Sequence, residues 1–212
     1  DTIDATQNLD SYAMVSGIVK SCAVNLSKMC NDLRLMSSGP RTGFCEINLP
    51  AKQNGSSIMP GKINPVIPEV VNQVAFNIIG NDVTITMAAE AGQLELNAFE
   101  PIIFYNLFES IQTLSNAVQT LVDNCIVGIT ANEEHCRKMV EGSIGIITAI
   151  CPYVGYETAA NIAKEALRTN NSVRDLILQK KLLTEEQLKT ILDPYTMTKP
   201  GIQGRNPADL LA

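Results

Sequence analysis

The chain has 212 residues, a length that fits one or two domains and a substantial hydrophobic core. Apolar residues make up 45% and charged residues 18%, which excludes a disordered or low-complexity chain. Sixteen Lys+Arg against 22 Asp+Glu leave a net charge of −6 with no dense basic run, so nucleic acid is excluded as a partner while a small anionic substrate is not.

No apolar run reaches membrane-spanning length and no signal-peptide pattern opens the chain, so a cytoplasmic protein without a membrane partner is expected. The first residue is Asp1 rather than methionine, which suggests a fragment or a processed product. Cys22, Cys30, Cys45, Cys125, Cys136 and Cys151 form no C-x-x-C pair and read as buried, reduced thiols. With His135 as the single histidine, a His-rich metal site is excluded, and neither a metal nor a cofactor is expected.

From Asp1 to Gly39 there is no proline, and Tyr12, Val15, Val19, Cys22, Leu26, Met29, Leu33 and Met36 alternate spacings of three and four. That spacing predicts a long helix with one continuous apolar seam, in which Met29 and Met36 are core. Ser38-Gly39-Pro40 stops it. From Gly39 to Pro65 the periodicity vanishes, giving a connection too long to be idle in a compact domain. Helical rhythm returns after Asn64 with Val66, Ile67, Val70, Val71, Val74, Ala75, Ile78 and Ile79 on two adjacent faces, which predicts a deeply buried helix running to Glu90. Phe104, Leu107, Ile111, Leu114, Val118, Leu121 and Cys125 outline a third long helix.

Three long apolar helices imply an up-and-down bundle. Their seams exceed what three helices bury among themselves, so further helices or partner copies of the chain are expected. Shorter helices follow Gly128, over 132–141, 144–150, 156–169, 173–179 and 184–192, with helix starts signalled by Ser172 and by the Thr184/Gln187 capping-box pair. The tail from Pro194 reads as loosely held. No β-type alternation is convincing, and the fold class is all-α. The expected domains are a helical bundle over 1–128, containing the loop 55–65, and a small helical domain over 129–212.

The segment Gly55-Ser56-Ser57-Ile58-Met59-Pro60-Gly61-Lys62-Ile63-Asn64-Pro65 carries the chemistry. On composition alone it is a turn-rich linker. Yet glycines bracket two hydroxyls, so backbone N–H groups are free to converge on an anion. Lys62 and Asn64 stand close by, and the loop feeds into a helix whose N-terminus adds positive potential.

This segment resembles the signature loop of the fumarase/aspartase superfamily, whose members eliminate a group from a substituted succinate to release fumarate. The likeness continues through NDLRLMSSGPR before the loop and PEVVNQVAFNIIGND after it. DATQNLD, VIPEVVNQ, AAEAGQLELN, the run from TANEEHC to AKEAL, and PYTMTKPGI point to the aspartate-deaminating branch. The resemblance implies reversible deamination of L-aspartate to fumarate and ammonia. Ser56 would be the catalytic base that removes the β-proton, and Ser57, Ile58, Met59, Lys62 and Asn64 would bind the substrate. Gly55 and Gly61 would shape the loop, and Glu69 would pair with Lys62. It also implies a homotetramer whose site combines regions of three subunits. Only the signature loop is found here: the Thr/Ser-rich region and the Thr-His region are absent, so the chain is expected to be inactive alone.

A fumarase, or another lyase of the superfamily, is the alternative reading; a helical module that only associates is the other. Elsewhere, Glu133 and Glu134 beside His135 read as a solvated first helical turn, and Arg34 and Arg41 as salt-bridge residues at a surface or interface.

Overall fold

The structure is a computed structural model that describes residues 1–53, 59 and 63–202. The fold is all-α. Helices α1 (Thr2–Gln7), α2 (Asp10–Met36), α3 (Val66–Glu90) and α4 (Glu100–Asn124) belong to a first compact unit, Asp1–Asn132. Helices α5 (Glu133–Gly142), α6 (Ile147–Val154), α7 (Tyr156–Thr169), α8 (Val173–Gln179), α9 (Glu185–Ile191) and α10 (Pro194–Met197) belong to a second, Glu133–Ala212.

In the first unit α3 packs on both α2 and α4. The pairing of α2 with α3 is antiparallel: Ser16 and Lys20, early in α2, meet Asp82 late in α3, while Arg34 at the end of α2 meets Asn72 near the start of α3. Cys30, Leu33, Val71, Ala117 and Leu121 build one buried cluster, and Ile85, Ile103 and Leu107 build another.

The seam of α2 differs from the sequence expectation in its phase. Ser16, Ala23, Ser27, Cys30 and Leu33 are the buried positions, whereas Tyr12, Val15, Cys22 and Met29 are exposed. Small side chains let α2 and α3 approach closely, and the bulkier apolar ones are left on the outside. Met29 is therefore not core within this chain, while Met36 is half-buried against the first cluster. Likewise α3 is buried along one side only: Val71, Ala75, Ile78 and Ile85 are inside, but Val70, Phe76, Val83 and Met87 are exposed. The rhythm expected from Asp1 onward also breaks at Asn8–Leu9, where α1 ends before α2 begins.

Hydrophobic periodicity gave no warning of the polar side chains within these interfaces. Asp82 is 5% exposed and accepts from the Ser16 hydroxyl at 2.7 Å and from the Lys20 ammonium. Asn97 closes the turn between α3 and α4. Its amide donates to the Ala88 and Ala89 carbonyls, and its Oδ1 accepts from the Phe99 N–H at 2.8 Å. Among the described residues no buried side-chain nitrogen or oxygen lacks a partner. That satisfaction is what makes buried polar groups tolerable.

The second unit has its own core of Ile146, Ile150, Ile162, Val173, Leu176, Ile177, Leu188 and Ile191. Both sequence-signalled helix starts are present. Ser172 accepts from the Asp175 N–H, and Thr184 and Gln187 form a reciprocal capping box with bonds of 3.2 and 2.8 Å. At the start of the tail Asp193 caps a short helix, α10. Ile177 has no exposed surface. Ile177→Ala is expected to cost about 3 kcal/mol, from lost burial and the cavity it leaves. Chemical denaturation followed by far-ultraviolet circular dichroism would show it as a lower midpoint.

Candidate active site

The connection between α2 and α3 carries the signature segment, and its first half is fastened to the chain that follows α4. Strands β1 (Ile47–Asn48) and β2 (Thr130–Ala131) pair antiparallel, short elements that alternation in the sequence did not reveal. Beside them, Asn132 Nδ2 donates to the Cys45 carbonyl at 2.7 Å, and its N–H donates to the Glu46 carbonyl at 2.9 Å. Asn48 Nδ2 donates to Asn132 Oδ1 at 2.8 Å. Pro50 lies so close to Gly128 that a Cβ there would meet its Cγ at 2.4 Å, so the approach requires glycine.

Of the expected site residues, Gly55, Ser56, Ser57, Ile58, Gly61 and Lys62 lie outside the described residues. Met59 is 50% exposed. Asn64 is half-buried and lines a small cleft with Leu49, Pro50, Pro65 and Cys125. Pro65 follows at the N-cap position and Val66 opens α3, so Asn64 stands just before a helix N-terminus.

Glu69 stands in the first turn of α3, where a carboxylate is favoured by the helix dipole. Its Oε1 lies 3.7 Å from Nη2 of Arg34, a residue in the last turn of α2. The same guanidinium reaches Asn72 Oδ1 at 3.4 Å through Nη1. Asn72 is 3% exposed, and its amide donates to the Ser27 carbonyl and hydroxyl at 3.0 and 2.8 Å. The salt-bridge reading of Arg34 is thus met, with a partner that sequence reasoning had set aside for Lys62. Asn72 and Ser27 were missed altogether. The only signal for Asn72 was an amide placed between Val71 and Ala75 on an otherwise apolar face.

Cys30 and Cys125 are buried in the first cluster, as expected, but Cys22 is exposed and the remaining thiols are half-buried. Burial pushes the Cys30 thiol from 9.0 up to about 11 and raises that of Cys125. Thiols shifted this way are poor nucleophiles at neutral pH. Because the folded state of Cys30 holds its proton more tightly than the unfolded state does, its contribution to stability is complete below about pH 9. It is lost as pH rises toward about 11. The fall in stability between pH 9 and 11 should therefore be shallower in Cys30→Ala than in the parent chain, as measured by denaturant midpoints across that range.

Glu133, Glu134 and His135 sit exposed in the first turn of α5. Hydrogen bonds from Arg137, then Lys138, hold the Glu134 carboxyl below its ordinary range, the state of an ion-paired surface carboxylate rather than a proton donor. A groove of about 950 Å³ in the second unit draws its lining from residues between Cys136 and Pro194 and includes none of the expected site residues. Three of its cations are already paired, Arg137 with Glu134 and Glu141, Lys138 with Glu134, and Arg174 with Glu185. Among the described residues no group of three or more His, Cys, Asp or Glu is placed to hold a metal ion, and no helix is long and apolar enough to cross a membrane.

Known lyases share the sequence that builds this arrangement. A family model described as lyase matches residues 1–80, and one described as fumarase C C-terminus matches residues 146–199. Over these stretches the chain is similar to lyases of the fumarase/aspartase superfamily. It is 60% identical over 203 residues to the aspartate ammonia-lyase of a Bacillus species, covering 96% of this chain and 43% of that protein. It is 59% identical over 198 residues to that of Helicobacter pylori, covering 93% and 42%. The chain thus spans less than half the length of the curated relatives it matches. Among solved structures, a fumarate lyase:delta crystallin from Brucella melitensis bound to cobalt superposes with a TM-score of 0.83 at 52% identity, covering 93% of this chain and 43% of that one. A class II fumarase from Schistosoma mansoni gives 0.85 at 34% identity, covering 93% and 41%.

Proposed function

We propose that this chain is the C-terminal part of an aspartate ammonia-lyase, which converts L-aspartate reversibly to fumarate and ammonia. The observation that carries the reading is the segment GSSIMPGKINP leading into α3, within a chain 60% identical to a named aspartate ammonia-lyase. In this reading residues 1–128 complete a central helical bundle and 129–212 form a small C-terminal domain.

The chemistry needs a base and a place for negative charge. The β-proton of aspartate is weakly acidic until the adjoining carboxylate takes up the electron pair as a doubly charged aci-carboxylate. Ser56, deprotonated and held so by loop N–H donors, removes that proton. Ser57 and the Ile58–Met59 backbone bind the β-carboxylate, and Lys62 and Asn64 contact substrate carboxylate oxygens. Gly55 and Gly61 permit the backbone to converge. Glu69 accompanies Lys62. The electron pair then re-forms the carboxylate, the Cα–Cβ double bond closes, and ammonia leaves from Cα.

The outward apolar side chains favour an oligomer, with four copies expected for the complete enzyme. Ile18, Phe76, Val83, Met87 and Phe108 are each more than half exposed, which is more apolar surface on one bundle than a monomer usually carries. Since the rest of the pocket would come from other sequence and other subunits, the chain by itself is inactive. Detectable ammonia release from the 212-residue chain would overturn that part of the reading.

The deciding experiment follows fumarate by ultraviolet absorbance in the full-length parent protein, with L-aspartate and L-malate in separate reactions. Fumarate from aspartate alone is the expected result. Fumarate from malate alone would make the protein a fumarase with the same loop, and fumarate from neither would leave the helical association module.

A further inference from the structure

We infer that the buried polar level where α2, α3 and α4 meet is a register key: it dictates which face of α2 the bundle accepts rather than adding stability to it. Two neighbouring residues of α3 reach to either side. Asp82, 5% exposed, accepts from the Ser16 hydroxyl of α2 at 2.7 Å and from the Lys20 ammonium. Asn81 donates from Nδ2 to Ser110 Oγ of α4 at 3.1 Å, and Ser110 is 3% exposed. Apolar clusters flank this level along α3, with Ile78 in one and Ile85 in the other. The role is independent of the proposed reaction.

A key is needed because apolar burial alone does not choose. A second stripe of α2, Tyr12, Val15, Cys22 and Met29, is exposed and lies roughly a quarter turn from the face that meets α3. Turned toward α3, that stripe would bury larger apolar side chains than Ser16, Ala23 and Ser27 do. It would also carry Ser16 and Lys20 away from Asp82, leaving a buried carboxylate without its partners, a heavy cost. The observed phase is the one in which the carboxylate is satisfied. A polar level of this kind adds little net stability, because taking the carboxylate out of water offsets most of what its partners return, and Lys20 is 39% exposed along its side chain. Its effect is to penalise the wrong pairing.

The test unfolds the full-length parent protein in denaturant and refolds it at one fixed concentration. It reads the denaturant midpoint, and the fraction regaining the native oligomer by size-exclusion chromatography with light scattering. Ser16→Ala, Lys20→Met and Asp82→Leu are combined, so that no member of the triad is stranded as it would be by a single substitution. This triple variant should keep a midpoint equal to or above wild type, while the native fraction falls about fivefold or more and the remainder forms other assemblies. Asp82→Asn with Lys20→Gln keeps the hydrogen bonds without the charges. This conservative double variant should hold the native fraction to within about twofold of wild type, at a midpoint no higher than that of the triple variant.

A triple variant that refolds to the native oligomer at wild-type yield overturns the inference. So does one whose midpoint and yield fall together, which is the behaviour of a triad that only stabilises. If the triple variant is insoluble, the conservative double variant decides: a retained native fraction supports the key, and a native fraction lost along with the midpoint overturns it. If the wild type does not refold from denaturant, the same fractions are read on freshly expressed protein. None of these readings depends on turnover, so a failure of the proposed function is seen separately.

Discussion

Ser56→Ala in the full-length parent enzyme should reduce kcat for aspartate deamination by about a thousandfold or more, with the oligomer intact. The proposed reading assigns this hydroxyl the proton abstraction, and the loss of a positioned general base typically costs two to four orders of magnitude. Alanine removes one oxygen and keeps the glycine-bracketed backbone, so binding of a non-reacting dicarboxylate should weaken far less than turnover. Separating turnover from binding in this way distinguishes a base from a residue that merely holds the ligand. Ser57→Ala should behave oppositely, with the larger change in KM. A Ser56→Ala enzyme retaining a tenth or more of wild-type kcat would place the base elsewhere.

The second large effect concerns the bundle. Asp82→Ala should destabilise the protein by about 2–3 kcal/mol, because the Ser16 hydroxyl would be left buried without an acceptor and a cavity would open between α2 and α3. Lys20 is 39% exposed along its side chain and would turn to water, so the full penalty of stranding a buried charge does not apply. Asp82→Asn should cost less, since its Oδ1 still accepts from Ser16. Denaturant midpoints at one fixed protein concentration measure both, the concentration being held because oligomerisation contributes to apparent stability. A midpoint for Asp82→Ala within error of wild type would mean that the buried triad adds nothing to the α2–α3 interface.

These two predictions draw on different sources. The signature segment was legible because chemistry depends on residue types in a fixed order, and an order is written in the chain itself. The Asp82 triad was not: Ser16, Lys20 and Asp82 are more than sixty residues apart at their ends and nothing local marks them as partners. Asn132 shows the same limit, since its bonds to Cys45, Glu46 and Asn48 join segments over eighty residues apart.

By itself the sequence determined the all-α class, the stretches occupied by the long helices, the caps at Ser172 and Thr184, and the loop on which the function is proposed. All of these follow from short-range rules: a 3.6-residue period, a side chain reaching an N–H three residues on, a motif eleven residues long. Tertiary structure alone decided which face of each helix turned inward. Leu, Val and Met cover more than one stripe of α2, and the apolar pattern does not say whether a given stripe meets the same chain or another. Close approach selected the small residues Ser16, Ala23, Ser27 and Cys30 for the contact with α3, and left Val15, Ile18 and Met29 facing outward. The pairing of Arg34 with Glu69 was decided in the same way, since the antiparallel packing of α2 on α3 brought together the end of one helix and the start of the next.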